Sequence, residues 1–378
     1  MSNGGLAYWR DGVWEQLTPR DGWTVYVIDT DVTLQRVAGA WLPLHRASAR
    51  GVANRLVNGA FQFNQRMATS VADDTYCFDR FYVLTETGSV TVGQLSDPET
   101  GRLAGIRLTQ PDATAKRIGL AQIVESADIR DLRSAAVAMA ARVRCSASQA
   151  IRMAILEWTG TADAVTSDVV NGWTNATFTP GNFFIAGVNV IALGATTPTA
   201  NTWTDMAGVS GTFGAALTNA IVLVWTEAAL AQNGTLDIDQ MQLEAGKICG
   251  PFARRRAGEE LAACQRFYQK SFALGTTPAQ NIGTNTGEWL WPASGAGAVT
   301  QRGVPCRFAV PLRASPTMTG YSTSAASAEA WDVTAGAACT GTNFFMATAA
   351  QFGVTALGAA GTAIGNRLGV HWTADAEL

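Results

Sequence analysis

Histidine is nearly missing. Only His45 and His371 occur in 378 residues, and neither sits in a motif that would bring it to a nucleophile. Hydrolysis by a Ser-His-Asp or Cys-His arrangement is therefore not expected. His45 lies in a polar, arginine-bearing stretch with no second His or Cys nearby and reads as a surface residue. His371 lies in an apolar strand pattern and reads as a packed or hydrogen-bonded side chain. Lysine is scarce too, confined to positions 116, 247 and 270; charged residues make up 15% of the chain, with a net charge of −3. Roughly 25% charged residues is usual, and with no basic excess nucleic acid is not expected as a partner. The six cysteines, at 77, 145, 249, 264, 306 and 339, show no CxxC spacing. That argues against zinc and against a dense disulfide framework, and leaves buried free thiols. No apolar run approaches about 18 residues, so no membrane insertion is expected. The first residues lack the basic and apolar regions of a signal peptide, so synthesis in the cytoplasm is expected, with any action outside the cell reached on a particle. HExxH, P-loop and dinucleotide-binding patterns are missing. No repeat of 20–50 residues appears, which counts against a β-helix.

What is present is alternation broken by turn residues, the pattern of an all-β chain. Asp11-Gly12 between Tyr8-Trp9-Arg10 and Val13-Trp14 predicts a hairpin, Thr24 to Asp29 alternates, and a third short strand ends at Trp41-Leu42-Pro43. So small a unit needs a neighbour to pack on. Residues 45–57 read as a linker. From 58 to 252, candidate strands at Ala60–Phe63, Asp79–Thr85, Val90–Gln94, Gly105–Thr109, Ile118–Val124, Ile151–Trp158, Thr174–Phe178, Phe183–Ile191, Ile221–Trp225 and Leu236–Leu243 predict a β-sandwich jelly roll. Asp131–Arg144 is Ala-rich but also alternates, and is read as a strand with Val137, Met139, Ala141 and Val143 inward. In Thr235–Glu244 the apolar phase slips by one residue at Asp239-Gln240, which predicts a β-bulge. A linking helix is expected over 253–272, with Leu261, Cys264 and Tyr268 on one face. Residues 273–378 read as a C-terminal β-sandwich domain. Cys306, Phe308, Val310 and Leu312 point inward there, and further strands are expected at Phe344–Thr348 and Gly369–Thr373. So few charges fall in this last part that its surface is expected to face an oligomer partner or a neutral polar ligand.

QLEAG, then Pro-Phe-x-Arg-Arg, then GEELAACQRFYQKS resembles the junction in phage tail fibre and tail spike proteins that joins a carbohydrate-binding-module-like jelly roll to a C-terminal receptor-binding domain. NGAFQFNQRM and YCFDRFYVLT are similar to the opening of those jelly rolls, NGWTNATFT and NTWTDMAGV to strands with a Trp-Thr pair, and LRASPTMTGYS and GVHWTADAEL to fibre C-terminal domains. Residues 1–44, WRDGVWEQLTPRDGWTVYVIDTD and LQRVAGAWLPL, are similar to a short domain of phage tail proteins and gene transfer agents. Met1 falls inside that pattern, so a shortened unit docking on another particle protein is expected. The resemblance implies a non-enzymatic receptor-binding fibre or spike component of a phage-like particle or gene transfer agent, displayed on the particle surface. It also implies a homotrimer and attachment to host cell-surface (capsular) polysaccharide. A polysaccharide depolymerase and a purely structural fibre segment are the alternatives. The first needs only two carboxylates, and the chain has 30 Asp and Glu residues.

Sugar rings stack on aromatic faces, and their hydroxyls take hydrogen bonds from amides and guanidiniums. Trp173 and Trp203 follow polar turns, and Trp289 and Trp291 share one face of a strand as a candidate stacking surface. With Trp158, Gln65 and Arg66 they are the candidate carbohydrate-binding residues; Trp225, inside IVLVW, is expected in the core. Asp79-Arg80 reads as a structural ion pair. The resemblance also implies a structural calcium, for which Asp239 and Glu244 would be the carboxylates; no other cofactor is expected.

Overall fold

Most of the alternating stretches become strand. Apart from two short α-helices and one 3-10 turn, the regular structure of the described residues is β. The computed structural model describes residues 6–28, 32–37, 39–43, 54–96 and 103–378. His45 and most of the expected linker lie outside them.

Leu6–Arg10 pairs with Val13–Leu17, with Trp9 opposite Trp14. Asp11 and Gly12 both take positive φ, 49° and 85°, as a two-residue I′ turn demands. Thr24–Val27, Val32–Val37 and Ala40–Pro43 form a three-stranded meander. Trp9, Val13, Trp14, Trp23, Tyr26 and Ile28 are all exposed.

Two antiparallel sheets then pack face to face. The first runs Thr204–Asp205, Ala136–Cys145, Thr235–Ala245, Leu103–Thr109, Ser89–Ser96, Ser70–Ala72, with Val209–Thr212 also on Ala136–Cys145. The second runs Val188–Thr196, Ile151–Trp158, Asn219–Thr226, Ile118–Val124, Tyr82–Thr85, Thr75–Tyr76. Their inner faces share one core, with Val137, Met139, Val143, Leu236, Ile238, Met241 and Leu243 meeting Ile118, Leu120, Met153, Ile155, Val222 and Val224. The bulge sits where the phase slips. Ala140 pairs with Gln242 and Arg142 with Asp239, so Gln240 and Met241 together oppose Ala141, and Gln240 takes φ +52°.

The second sheet is buried on both faces. Ile221, Leu223 and Trp225 point away from the sandwich and meet Val169, Val170, Phe183 and Phe184. A strand buried on both sides reads as an unbroken apolar run, which is why IVLVW lacks alternation. The covering segment, 159–187, corrects two expected strands. Residues 174–178 form no strand, and apart from isolated bridges of Phe184 to Val170 and Pro180 the expected second strand begins only at Val188. Gly172, Pro180 and Gly181 turn the chain, which buries its aromatics by packing instead. Ala60–Phe63 is likewise irregular, because Asn58 and Phe61 are left-handed at φ 62° and 52°. The stretch Asp131–Arg144 divides: a helix at Ser126–Ile129 and a 3-10 turn at Arg130–Leu132 precede the strand Ala136–Cys145.

The linking helix is shorter than its periodicity implies, Ala257–Gln265. Tyr268–Lys270, expected as its last turn, is a strand paired with Arg367–Asp375. That long strand organises the C-terminal unit: Trp289–Pro292, Thr317–Tyr321 and Trp331–Asp332 pair with it as well. A second sheet is built on Gln351–Leu357, with Thr300–Arg302, Cys306–Arg307 and Thr340–Phe345. The expected strand through Leu312 stops at Arg307, yet Cys306, Phe308 and Leu312 are buried as its phase required. All six cysteines are free.

The last residues of the chain return to the opening of the sandwich. Arg80, with 1% of its side chain exposed, pairs with Glu377, donates to the carbonyl of Ile123 and lies 3.6 Å over the Phe267 ring. Arg66 donates to Asp375 at 2.9 Å and to Glu377 at 3.3 Å, and stacks on Tyr268 at 4.0 Å. Arg313 caps the carbonyls of Ala376 and Glu377. The expected Asp79–Arg80 pair is therefore corrected. The two are structural, but Asp79 accepts from Gln65 while Arg80 faces Glu377. Successive side chains leave the turn at Arg80 (φ 70°) in different directions.

Two predictions follow from this packing. Breaking a buried pair from one side strands a charge, which costs about 3–5 kcal/mol, whereas replacing both partners with apolar groups costs much less. Glu377→Ala is expected to show that loss by urea unfolding, and Arg80→Met with Glu377→Leu to recover most of it. The second concerns His371, fully buried and stacked on Phe272 at 4.3 Å. Its Nε2 lies 3.0 Å from the Thr284 carbonyl and its Nδ1 2.9 Å from the Ser271 hydroxyl. A neutral ring donates from Nε2 and accepts at Nδ1. Burial holds this imidazole below the ordinary 6.5, against the opposing pull of the Thr284 carbonyl. A depressed folded-state pKa gives stability that is full above 6.5 and lost as pH falls below it. The His371 ring signal in NMR, assigned with His371→Asn, is expected to stay in its neutral position through 6.5, and that variant to flatten the acid loss of stability.

Candidate functional site

The outer face of the first sheet remains polar, and strand alternation decides what stands on it. Arg142 and Arg144 point outward from Ala136–Cys145, and Asp237 and Asp239 from Thr235–Ala245. Register then lines up Arg144, Asp237 and Arg107 across three neighbouring strands. Directly opposed residues of opposite charge attract across a sheet. Asp237 is fully buried beneath the two arginines. Arg107 Nε and Nη2 reach its two oxygens at 2.7 and 2.9 Å, and Arg144 Nε reaches Oδ2 at 2.7 Å. Arg142, opposite Asp205, keeps 41% of its side chain exposed and touches that carboxylate only at 3.5 Å. Trp203, half-buried, leans over the row, with the guanidinium carbons of Arg144 and Arg142 4.8 and 5.4 Å from its ring centre. The face thus combines an aromatic surface, fixed hydrogen-bond donors and water access, which is what binding a polar ring requires.

The other sequence candidates lie elsewhere. Trp158 is half-buried against Gly160 and Gly187, where a Cβ would meet its ring at 2.6 Å, and donates to the Thr161 carbonyl. Trp173 packs edge-on to Phe183 in the covering segment, at 5.9 Å. Trp289 and Trp291 do share a strand face, but it is the inner one. Trp291 is 2% exposed and Trp289 packs on the same cores, while Leu290 between them faces solvent. As a stacking surface that pair is corrected, because the strand face opposed to Leu290 is the apolar side of the sheet. Gln65 and Arg66 belong to the C-terminal junction. Gln65 is buried, 1% exposed, and its side-chain amide donates to Asp79 and to the Tyr268 carbonyl. Trp203 alone of the seven stands among outward-facing arginines. Arg107 and Asp237 escaped the sequence reading because 130 residues separate them; the alternation of Arg142 with Arg144 was the visible signal.

The expected calcium carboxylates do not fit that ion. Ca²⁺ takes six to eight oxygens. Asp239 faces the Arg254 guanidinium at 3.9 Å, and Glu244 accepts from the Gly250 amide at 2.8 Å. Among the described residues no group of three or more His, Cys, Asp or Glu is gathered to hold a metal.

No protein-family model matches the chain, and no curated protein does. Among solved structures it is similar to the enzymatically active domain of bacteriophage CBA120 tailspike protein 4, at 12% identity and a TM-score of 0.29, covering 51% of this chain and 21% of that one. It is similar also to TmCBM61 in complex with β-1,4-galactotriose (12% identity, TM-score 0.30, 51% and 99% covered). A third is the CBM22-1 xylan-binding domain of Paenibacillus barcinonensis Xyn10C (10% identity, TM-score 0.26, 50% and 99% covered). The chain spans about a fifth of the tailspike structure and nearly all of the two smaller modules. At such scores the names of these proteins bring nothing over to this chain.

Core and face tryptophans should separate on unfolding. Trp291→Ala is expected to cost about 3–5 kcal/mol, as buried aromatics do. Trp203→Ala is expected to cost about 1–2 kcal/mol, the worth of a half-exposed ring with two cation–π contacts. Urea denaturation checks both.

Proposed function

We propose that this protein is a non-enzymatic, carbohydrate-binding component of a fibre or spike on a phage-like particle or gene transfer agent, and that it attaches the particle to polysaccharide on a host-cell surface. The observation that carries the reading is the outer sheet face, where Trp203 lies over Arg142 and Arg144 beside the anchored Arg107. A stacking ring ringed by fixed donors suits a pyranose, whose C–H face is apolar and whose edge is polar. The sequence resemblance to fibre and spike proteins supplies the particle. The hairpin with exposed Trp9 and Trp14 supports docking on another particle protein, because a two-stranded unit with its aromatics in water is marginal alone. The charge-poor C-terminal unit suits a homotrimer, whose symmetry would multiply a weak sugar site. The buried His371, bonded at both ring nitrogens, is engaged in holding the strand.

Fluorescently labelled protein is expected to bind encapsulated host cells and to lose that binding when the surface polysaccharide is removed. Trp203→Ala should weaken binding at least about tenfold, the worth of roughly 1.4 kcal/mol. Equal binding to cells with and without polysaccharide would sink the proposal.

A further inference from the structure

The guanidiniums of this face keep N–H donors that its carboxylates do not use. Asp237 is buried beneath two guanidiniums, and both of its oxygens are taken, Oδ1 by Arg107 and Oδ2 by Arg107 and Arg144. Each guanidinium has five N–H donors. Arg107 and Arg144 spend Nε and Nη2 on Asp237, and among the described residues neither Nη1 has a protein partner. Arg142 adds a third cation; it stands opposite Asp239, whose carboxylate faces Arg254 at 3.9 Å, and its own ion pair is Asp205, 87% exposed and 3.5 Å away. A buried carboxylate between two arginines adds little net stability, since desolvation offsets the attraction. What it does do is fix two planar forks side by side with their remaining donors toward solvent. A guanidinium fork matches a carboxylate or sulfate better than it matches a single hydroxyl.

We propose that this face binds an anionic polysaccharide, with one sugar ring against Trp203 and its carboxylate or sulfate on Arg142, Arg144 and the spare donor of Arg107. Asp237 is a positioning residue that touches no ligand. The bulge at Gln240 belongs to the device, because it keeps Asp237 and Gln242 on one face on either side of it. This assignment rests on the carbohydrate-binding reading and narrows it to a charge class.

The test uses the full chain in titration calorimetry against polygalacturonate, its fully methyl-esterified form, dextran and dextran sulfate, with Arg142→Gln and Arg144→Gln beside the wild type. Arg142→Gln is the safer variant for folding, because its guanidinium is exposed and loosely paired; thermal unfolding confirms that each variant is folded. Binding of at least one polyanion is expected, about tenfold weaker in either variant, as for loss of one charge-assisted bond, and weaker again on adding salt. Preference for polygalacturonate would assign the anion as carboxylate, and preference for dextran sulfate as sulfate. If the methyl ester or dextran binds as well as the polyanions, the charge assignment is overturned while the carbohydrate reading stands. If a folded double variant still holds encapsulated cells as the wild type does, this face is not the site. If the wild type binds none of the polysaccharides and no cells, the carbohydrate reading falls, and this assignment with it.

Discussion

The buried pair of Arg80 with Glu377 is the constraint on which the arrangement of the chain depends. Two charges with 1% and 5% of their side chains exposed are tolerable only when each faces the other, and the hydrogen bond from Arg80 to Ile123 and the Phe267 ring beneath it complete the shell. An apolar pair would hold the same space at no greater cost. What the charges add is specification. Only one placement of the last residues satisfies Arg80, Arg66 and Arg313 together, and that placement lays the end of the strand Arg367–Asp375 against the opening of the sandwich. Through this strand, which pairs with Tyr268–Lys270 just beyond the helix, the C-terminal unit is tied to the jelly roll at both of its ends.

How much of this was legible in the sequence follows from range. Ile118–Val124 and Ile151–Trp158, central strands buried on both faces, declared themselves as apolar runs bounded by turn residues, and the Asp11-Gly12 hairpin and the Gln240 bulge were readable because both are local steric rules. Failures came where burial was arranged by something distant. The segment 159–187 looked like strands because it carries aromatics, but those aromatics cover the second sheet and form only isolated bridges, at Phe184. The helix looked longer because Tyr268 keeps its period, yet a partner a hundred residues on claims it as a strand.

The candidate site was half legible for the same reason. Trp203 was visible by the polar turn before it. Trp289 and Trp291 looked equally good, since a shared strand face is the same whether it points in or out; Leu290, not either tryptophan, turned out to face water. Arg66 and Gln65 matched a family opening and proved to serve the junction, where their partners come from residues 268 and 375–377. Asp237 could be placed on a strand, but not beneath Arg107 and Arg144, until register was known.

Covering one sheet with apolar side chains and leaving the outer face of the other polar decides where function can sit. The second sheet spends its outer face on Phe183, Phe184 and Val169, so that side is a second core. The first sheet can leave its outer face to water only if the side chains there are polar, and a polar row along a strand is stable only if the register holds. Here one residue keeps both conditions. Were Gln240 to take a regular strand position instead of bulging, every side chain beyond it would change face. Met241 and Leu243 would then point to water, and Gln242 and Glu244 into the core between the sheets. The left-handed turn at Gln240 thus closes the hydrophobic core on one side of the strand and keeps Asp237 seated under its arginines on the other. Fold and candidate site are two faces of one register.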